Sequence, residues 1–295
     1  MVTKAVRRLR KEGDDGEFIF VGPDGFDPGL GQYESVGRFD GSERSAGVVS
    51  ARALERAVHL SLTGTVAGIV TGPIHKPALR SAGFTEPGHT EMLQRLTGVS
   101  VVGMLMAADE TRLGAPLRVL LATTHVPLRE VPTLLTSDLI VSQATLLRSS
   151  LEADWNLDRP RIALCALNPH ASDGGLFGEE EDRVFRPAVE NLRGAGVDVE
   201  GPIPADTVFN RALSGEYDAV IAPYHDVGMA AFKTVAFGTG VNVTLGLPFV
   251  RTSPDHGTAF EIVGTGRADS SSMQAAIRMA SRLASPRFDT LAAQM

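Results

Sequence analysis

The chain has 295 residues, 43% of them apolar, with a net charge of −7 and a pI of about 5.5, enough for two domains or one large one with a sizeable core. The only basic run of note, "KAVRRLRK", argues little for nucleic acid; no apolar run reaches membrane-spanning length and no signal peptide is visible. The single cysteine, Cys165, excludes an internal disulfide and a zinc–thiolate site, and suits a reducing cytoplasm.

In chain order, the basic start reads as a solvated or disordered segment, followed by a strand at 18–21. Residues 22–48, rich in Gly, Asp and Ser, read as a long loop. Leu54, Val58 and Leu62 recur at helical spacing over 51–62, and an apolar run follows at 66–70. The Gly/Pro-rich segment after it crowds Thr71, His75, Lys76, His89, Thr90 and Glu91 together. It is either a functional loop or a helix start capped at Thr90.

Strands are expected at 101–106 and 117–122. A helix over 138–151 places Leu139, Ile140, Ala144, Leu147 and Leu151 on one face, with Thr136 or Ser137 as cap. A strand at 162–167 precedes a helix at 183–193, which stops at Gly194 and has Pro187 as a kink or restart. Strands at 219–222 and 241–245 and a helix at 270–283 complete the series. The alternation predicts an α/β fold with a largely parallel sheet.

Three of these runs end on a histidine. "LRVLLATTHVPL" leads into His125, "RIALCALNPHASDGG" into His170, and "AVIAPYHDVG" into His225, with Gly228 placed to let the chain turn. In an open parallel sheet the C-terminal strand ends face one crevice. Three neutral imidazoles gathered there would make a site for a borderline divalent cation. Cys165 lies inside an apolar run and reads as an inert buried thiol. No G-x-G-x-x-G or Walker A loop follows a strand, so a dinucleotide would not sit on a Rossmann turn.

Lys233, Asn242 and Arg251 lie in otherwise apolar sequence. A buried cation needs an anionic partner. That partner is either an internal carboxylate such as Asp206 or Asp255, or the phosphate or carboxylate of a substrate.

The segments "TGPIHK…GHTEML", "TTHVPL", "LNPHASDGG", "GPIPADTVF", "YHDVGMAAFK" and "GVNVTLGLPFVRTSPDHGTAFEI" resemble, in order, the motifs of the PdxA family over about residues 50–285. The resemblance implies an isocitrate/isopropylmalate dehydrogenase-like fold: two α/β domains with a central cleft and an active site at a homodimer interface. Domains are expected at 1–80 plus 264–295 and at 81–263, the second holding the metal ligands and the dimer interface. The family's metal-binding histidines fall on His125, His170 and His225, one of them coming from the partner subunit. Its substrate-binding positions fall on His89, Thr90, Lys233, Asn242 and Arg251. Asp206, Lys233 and Asp255 are the catalytic candidates, the two aspartates orienting neighbours or relaying protons.

The implied reaction is oxidation of 4-phosphooxy-L-threonine by NAD or NADP with one divalent ion (zinc, magnesium or cobalt), then decarboxylation to 3-amino-2-oxopropyl phosphate, a step towards pyridoxal phosphate. Two departures stand out. The family's opening strand and "GDPAGIGPE"-like turn have no counterpart, and Val227 stands where the family usually has Gln. The competing expectations are a family dehydrogenase acting on a phosphorylated sugar acid or a carboxylated cis-dihydrodiol, a metallohydrolase, and a truncated, non-catalytic relative.

Overall fold

A computed structural model of the chain describes residues 1–86 and 88–292, with side chains to residue 285. The chain forms two compact units, one of residues 1–100 and 247–295, the other of residues 101–246.

The first unit opens with α1 (Val2–Lys11), β1 (Ile19–Gly22), β2 (Gln32–Ser35), α2 (Glu43–Leu62), β3 (Gly68–Val70), α3 (Lys76–Ser81) and α4 (His89–Thr97). The second unit runs β4 (Gly103–Ala108), β5 (Leu117–Leu121), α5 (Val131–Leu134), α6 (Ser137–Trp155), β6 (Ile162–Cys165), α7 (Arg186–Gly194), β7 (Val199–Ile203), α8 (Ala205–Leu213), β8 (Ala219–Ala222), α9 (His225–Ala236) and β9 (Val241–Leu245). The chain then returns to the first unit with β10 (Val250–Pro254) and α10 (Ser271–Ala292).

The basic start is an ordered helix rather than a solvated tail. Ala5, Val6 and Leu9 of α1 are buried against Met273 and Ile277 of α10, while the arginines face outward. The loop expected at 22–48 contains β2, paired in parallel with β1, and the first turn of α2, where the Ser42 side chain accepts from the Ser45 N–H. The expected domain limits move for a packing reason. α4 packs on α2, and β10 pairs with β3, so 81–100 and 247–263 fall in the first unit.

Within the second unit the strand order is β9-β4-β5-β8-β6-β7. β5, β8, β6 and β7 are parallel, but β4 runs antiparallel to both β5 and β9, so the sheet is mixed. Its core includes Leu117, Val119 and Leu121 from β5, Val220 and Ala222 from β8, and Phe232 from α9.

Gly228 does not turn the chain. It lies in α9 and lets that helix press onto the sheet. A Cβ there would lie 2.6 Å from Leu121 Cδ2 and 2.9 Å from Ala222 Cβ. Overpacking of this kind costs about 1–3 kcal/mol. Gly228→Ala should lower stability by that amount in urea unfolding; wild-type stability would show that α9 has room to spare.

Candidate active site

The three histidine-bearing runs are neighbours in space: β5, β8 and β6 lie side by side and parallel, so their C-terminal ends share one edge. Two of the loops there are tied together. Thr123 donates its N–H and its hydroxyl to the Pro223 carbonyl, at 3.3 and 2.8 Å, and Ala122 donates to the Ala222 carbonyl. His125 and His225 follow these ties, and their ring centroids lie 5.4 Å apart. A hollow of about 220 Å³ between them is lined also by Thr124, Tyr224 and Asp226.

His225 donates from Nδ1 to Asp226 Oδ1 at 2.7 Å, which leaves Nε2 with its lone pair. A carboxylate behind a ligating imidazole is the usual support of a metal site. Two imidazoles on one tetrahedral ion, at metal–nitrogen distances of about 2.0–2.1 Å, have centroids about 5 Å apart. The pair therefore fits a divalent ion.

His170 follows β6 in a loop where His170, Ala171, Ser172 and Asp173 all have positive φ, from 46° to 64°. Its ring lies against Phe177, centroids 6.3 Å apart. Among the described residues of one chain, no three His, Cys, Asp or Glu groups gather to hold a metal. One chain thus brings together His125 and His225, and the set of three expected from the spacing does not close within it.

In the first unit, Arg251 sits on β10, only 2% exposed. Its Nη2 donates to Thr71 Oγ1 at 2.6 Å and reaches His89 Nδ1 at 3.2 Å. Burial lowers the guanidinium to about 10, still charged at neutral pH. Because arginine only donates, His89 accepts at Nδ1 and carries its proton on Nε2. Burial first, and then the Arg251 charge, depress His89 from 6.5 to about 3. His89 and Thr90 open α4, whose cap residue, Gly88, offers no side chain to the first-turn amides. Free amides at a helix start attract anions. A guanidinium, a neutral imidazole N–H and a helix start thus all offer donors in one place.

The His89 shift makes a measurable acid limb. Between pH 6.5 and about 3 the unfolded chain binds a proton that the folded chain refuses, so stability is complete above that window and falls as pH drops through it. The slope reaches about 1.4 kcal/mol per pH unit from this one group. Urea unfolding between pH 7 and 4 should show a shallower slope in His89→Gln; equal slopes would remove His89 as the cause.

The remaining candidates divide between the units. Lys233 on α9 is half-buried, and Asn242 on β9 has a buried Oδ1 that no donor reaches. Asp206 is exposed in the first turn of α8. Asp255 accepts from the Ser272 hydroxyl at 3.1 Å, at the start of α10 in the first unit. His75 pairs with Glu43, and Lys76 is an exposed first residue of α3. Cys165 is fully buried, and burial, with the nearby Glu181 charge, pushes its thiol up to about 12, so it is no nucleophile. Val227 packs against the core of the second unit.

Thr71 as the partner of Arg251, Asp226 behind His225, and Thr123 as the tie between strand ends all emerge from the geometry. Thr71 and Asp226 stood in the quoted motifs without an assigned partner. The polar run "GEEED" concealed a fourth, Glu181, which is fully buried.

Residues 30–280 match the family model of "Pyridoxal phosphate biosynthetic protein PdxA". A 4-hydroxythreonine-4-phosphate dehydrogenase from Paracoccus denitrificans is 48% identical over 235 residues, 79% of this chain and 72% of the relative. A crystal structure of 4-hydroxythreonine-4-phosphate dehydrogenase from Klebsiella pneumoniae superposes with a TM-score of 0.78 at 38% identity, covering 94% of this chain and 85% of that one. Isocitrate dehydrogenase from Methylococcus capsulatus, 11% identical, shares the fold with a TM-score of 0.55, covering 97% of this chain and 83% of that one. The mixed α/β architecture agrees with these likenesses, and the chain belongs to the PdxA family.

Proposed function

We propose that this chain is a metal-dependent, NAD(P)-linked dehydrogenase that oxidises 4-phosphooxy-L-threonine and releases CO₂, yielding 3-amino-2-oxopropyl phosphate. The observation that carries the reading is the His125–His225 pair, tied at two parallel strand ends, in a chain 48% identical to a protein named for this activity.

The residues take separate tasks. Arg251, the Nε2–H of His89 and the start of α4 with Thr90 present donors to the substrate's anionic end, and Lys233 on α9 of the second unit is a candidate substrate-binding and catalytic cation. The buried Oδ1 of Asn242 accepts from a hydroxyl or ammonium of the substrate. Asp255, oriented by Ser272, and Asp206 serve as orienting or proton-relaying groups. His125 and His225 hold the ion, and His170 of a second copy completes the set. Exposed Leu128, Leu176 and Phe177 beside these histidines suit burial against that copy.

When bound, NAD(P)⁺ supplies the hydride acceptor and the divalent ion a Lewis acid. The secondary alcohol loses a hydride and a proton to become a ketone. The β-keto acid then loses CO₂, its carbon–carbon electron pair forms an enolate, and protonation at carbon gives the product. An imidazole set favours Zn²⁺ or Co²⁺ over Mg²⁺, which prefers oxygen ligands. No strand end among the described residues carries a Rossmann glycine turn, so the dinucleotide would bind without one. A cytoplasmic location belongs to the same proposal and accords with the lone buried thiol.

The test is absorbance at 340 nm on mixing the Co²⁺-loaded protein with 4-phosphooxy-L-threonine and NAD⁺ or NADP⁺. A rise abolished by chelator is expected. No rise from a folded, metal-bound dimer would overturn this substrate, and a rise with a phosphorylated sugar acid or a cis-dihydrodiol would replace it.

A further inference from the structure

Glu181 is a fully buried carboxylate that the reaction above does not use. It opens a π-helical turn, Glu181–Phe185, just before α7. π-Turns are uncommon and concentrate at functional sites. Both of its oxygens point at one loop. Oε1 accepts the backbone N–H groups of Leu167 and Asn168, at 2.9 and 2.7 Å. Oε2 accepts the Asn168 side-chain amide and the Ser172 hydroxyl, each at 2.9 Å. Asn168 is held a second time by Glu180, at 2.8 Å.

The loop so gripped carries His170 between Asn168 and Ser172. Four consecutive residues with side chains, His170 to Asp173, occupy the left-handed region, which a Cβ disfavours. Such a run persists only when its surroundings over-determine it. Burial alone would raise the Glu181 carboxyl, but the bonds from Asn168 and Ser172 prevail and hold it below the ordinary carboxylate range. It is therefore an anion at neutral pH, able to accept all four bonds at once.

We propose that Glu181 is a positioning residue: its buried carboxylate holds the 167–173 loop in the left-handed form that presents the His170 imidazole to the metal. The inference rests on the reading of His170 as a ligand. The bland alternative is a carboxylate that only stabilises the loop.

The experiment compares the full-length wild type with Glu181→Gln, His170→Ala and the double variant. Co²⁺ affinity is measured by competition with a chromophoric chelator, and the visible Co²⁺ spectrum reports coordination. A glutamine cannot satisfy the donors on both sides of the loop. Loss of an outer support typically weakens metal binding about 10–100-fold. Glu181→Gln should therefore bind Co²⁺ that much more weakly, with an altered spectrum. The double variant should bind no more weakly than His170→Ala alone. The proposal is overturned by wild-type affinity and spectrum in Glu181→Gln, or by its full effect reappearing in the His170→Ala background. Wild-type affinity in His170→Ala would instead remove the ligand assignment itself. Should Glu181→Gln fail to fold, Ser172→Ala deletes one grip on the same loop. It should weaken Co²⁺ binding two- to tenfold, and an unchanged affinity and spectrum would overturn the proposal.

Discussion

Arg251→Lys should raise KM for the phosphorylated substrate steeply and lower kcat/KM by about 10²–10³-fold, the loss expected when a charge-assisted fork becomes a point charge. The reason lies in what surrounds Arg251. It is 2% exposed, and a single nitrogen, Nη2, serves both Thr71 and His89. Its planar guanidinium therefore fixes both neighbours from one nitrogen as well as supplying charge. A lysine in the same place keeps a cation but lacks the planar fork, and is more readily neutralised by burial. Arg251→Ala should cost still more, because it also empties a buried volume and leaves Thr71 and His89 without their donor. The two variants separate binding from folding. Steady-state kinetics on Arg251→Lys, with its Tm recorded, decides the matter. A kcat/KM within tenfold of wild type would show that the substrate's anion is held elsewhere.

His89 couples to this result. Its low pKa of about 3 comes first from burial and second from the Arg251 charge, so removing that charge should move His89 back towards 6.5. The acid limb of stability should then narrow in Arg251→Ala relative to wild type.

How much of this was legible beforehand varied with the kind of residue. The strands β5, β6, β8 and β9 are readable because each is a short β-prone run, buried throughout in β6 and β8 and at all but its second position in β5 and β9. β10 is not. Its residues are Val250 to Pro254, all five buried, yet they include Arg, Thr, Ser and Pro, which no hydrophobic pattern marks as core. In the sequence Arg251 therefore reads as an isolated cation and not as a strand residue. α1 reads as a solvated start in the sequence because its five Lys and Arg residues outweigh its three buried apolar ones, although Ala5, Val6 and Leu9 fall on one helical face. The antiparallel course of β4 against β5 had a signal. The connection from Ala108 to Leu117 is too short for a parallel crossover, which leaves an antiparallel hairpin.

The site itself was partly legible. Spacing delivered three histidines to strand ends, but spacing cannot say which ends adjoin. The order β5-β8-β6 made them neighbours, and the Thr123–Pro223 ties brought two of them to a shared hollow. Nothing in the spacing showed that the His170 loop would take a different backbone form from the other two, because that form depends on Glu181, eleven residues further on.

His225→Ala should abolish metal binding at catalytic concentrations and lower kcat by at least about 10³-fold, the scale on which a Lewis acid worth several kcal/mol acts. The argument starts from the geometry on one side of the hollow. The rings of His125 and His225 adjoin within one chain, centroids 5.4 Å apart, and His225 has a bonded carboxylate, Asp226, behind it. Losing that ring removes a ligand and its support together. Asp226→Asn removes only the charge of the support. It should weaken metal binding about 10–100-fold, the usual cost of an outer partner, and activity should recover with added Co²⁺. His225→Ala should not recover, because no excess of ion restores the missing ligand geometry. Metal content after dialysis, together with kcat at rising Co²⁺, separates the two. If His225→Ala retains stoichiometric metal, the ion binds elsewhere and the strand-end pair is structural. If Asp226→Asn proves as damaged as His225→Ala and equally deaf to added Co²⁺, the carboxylate acts on the substrate rather than through the imidazole.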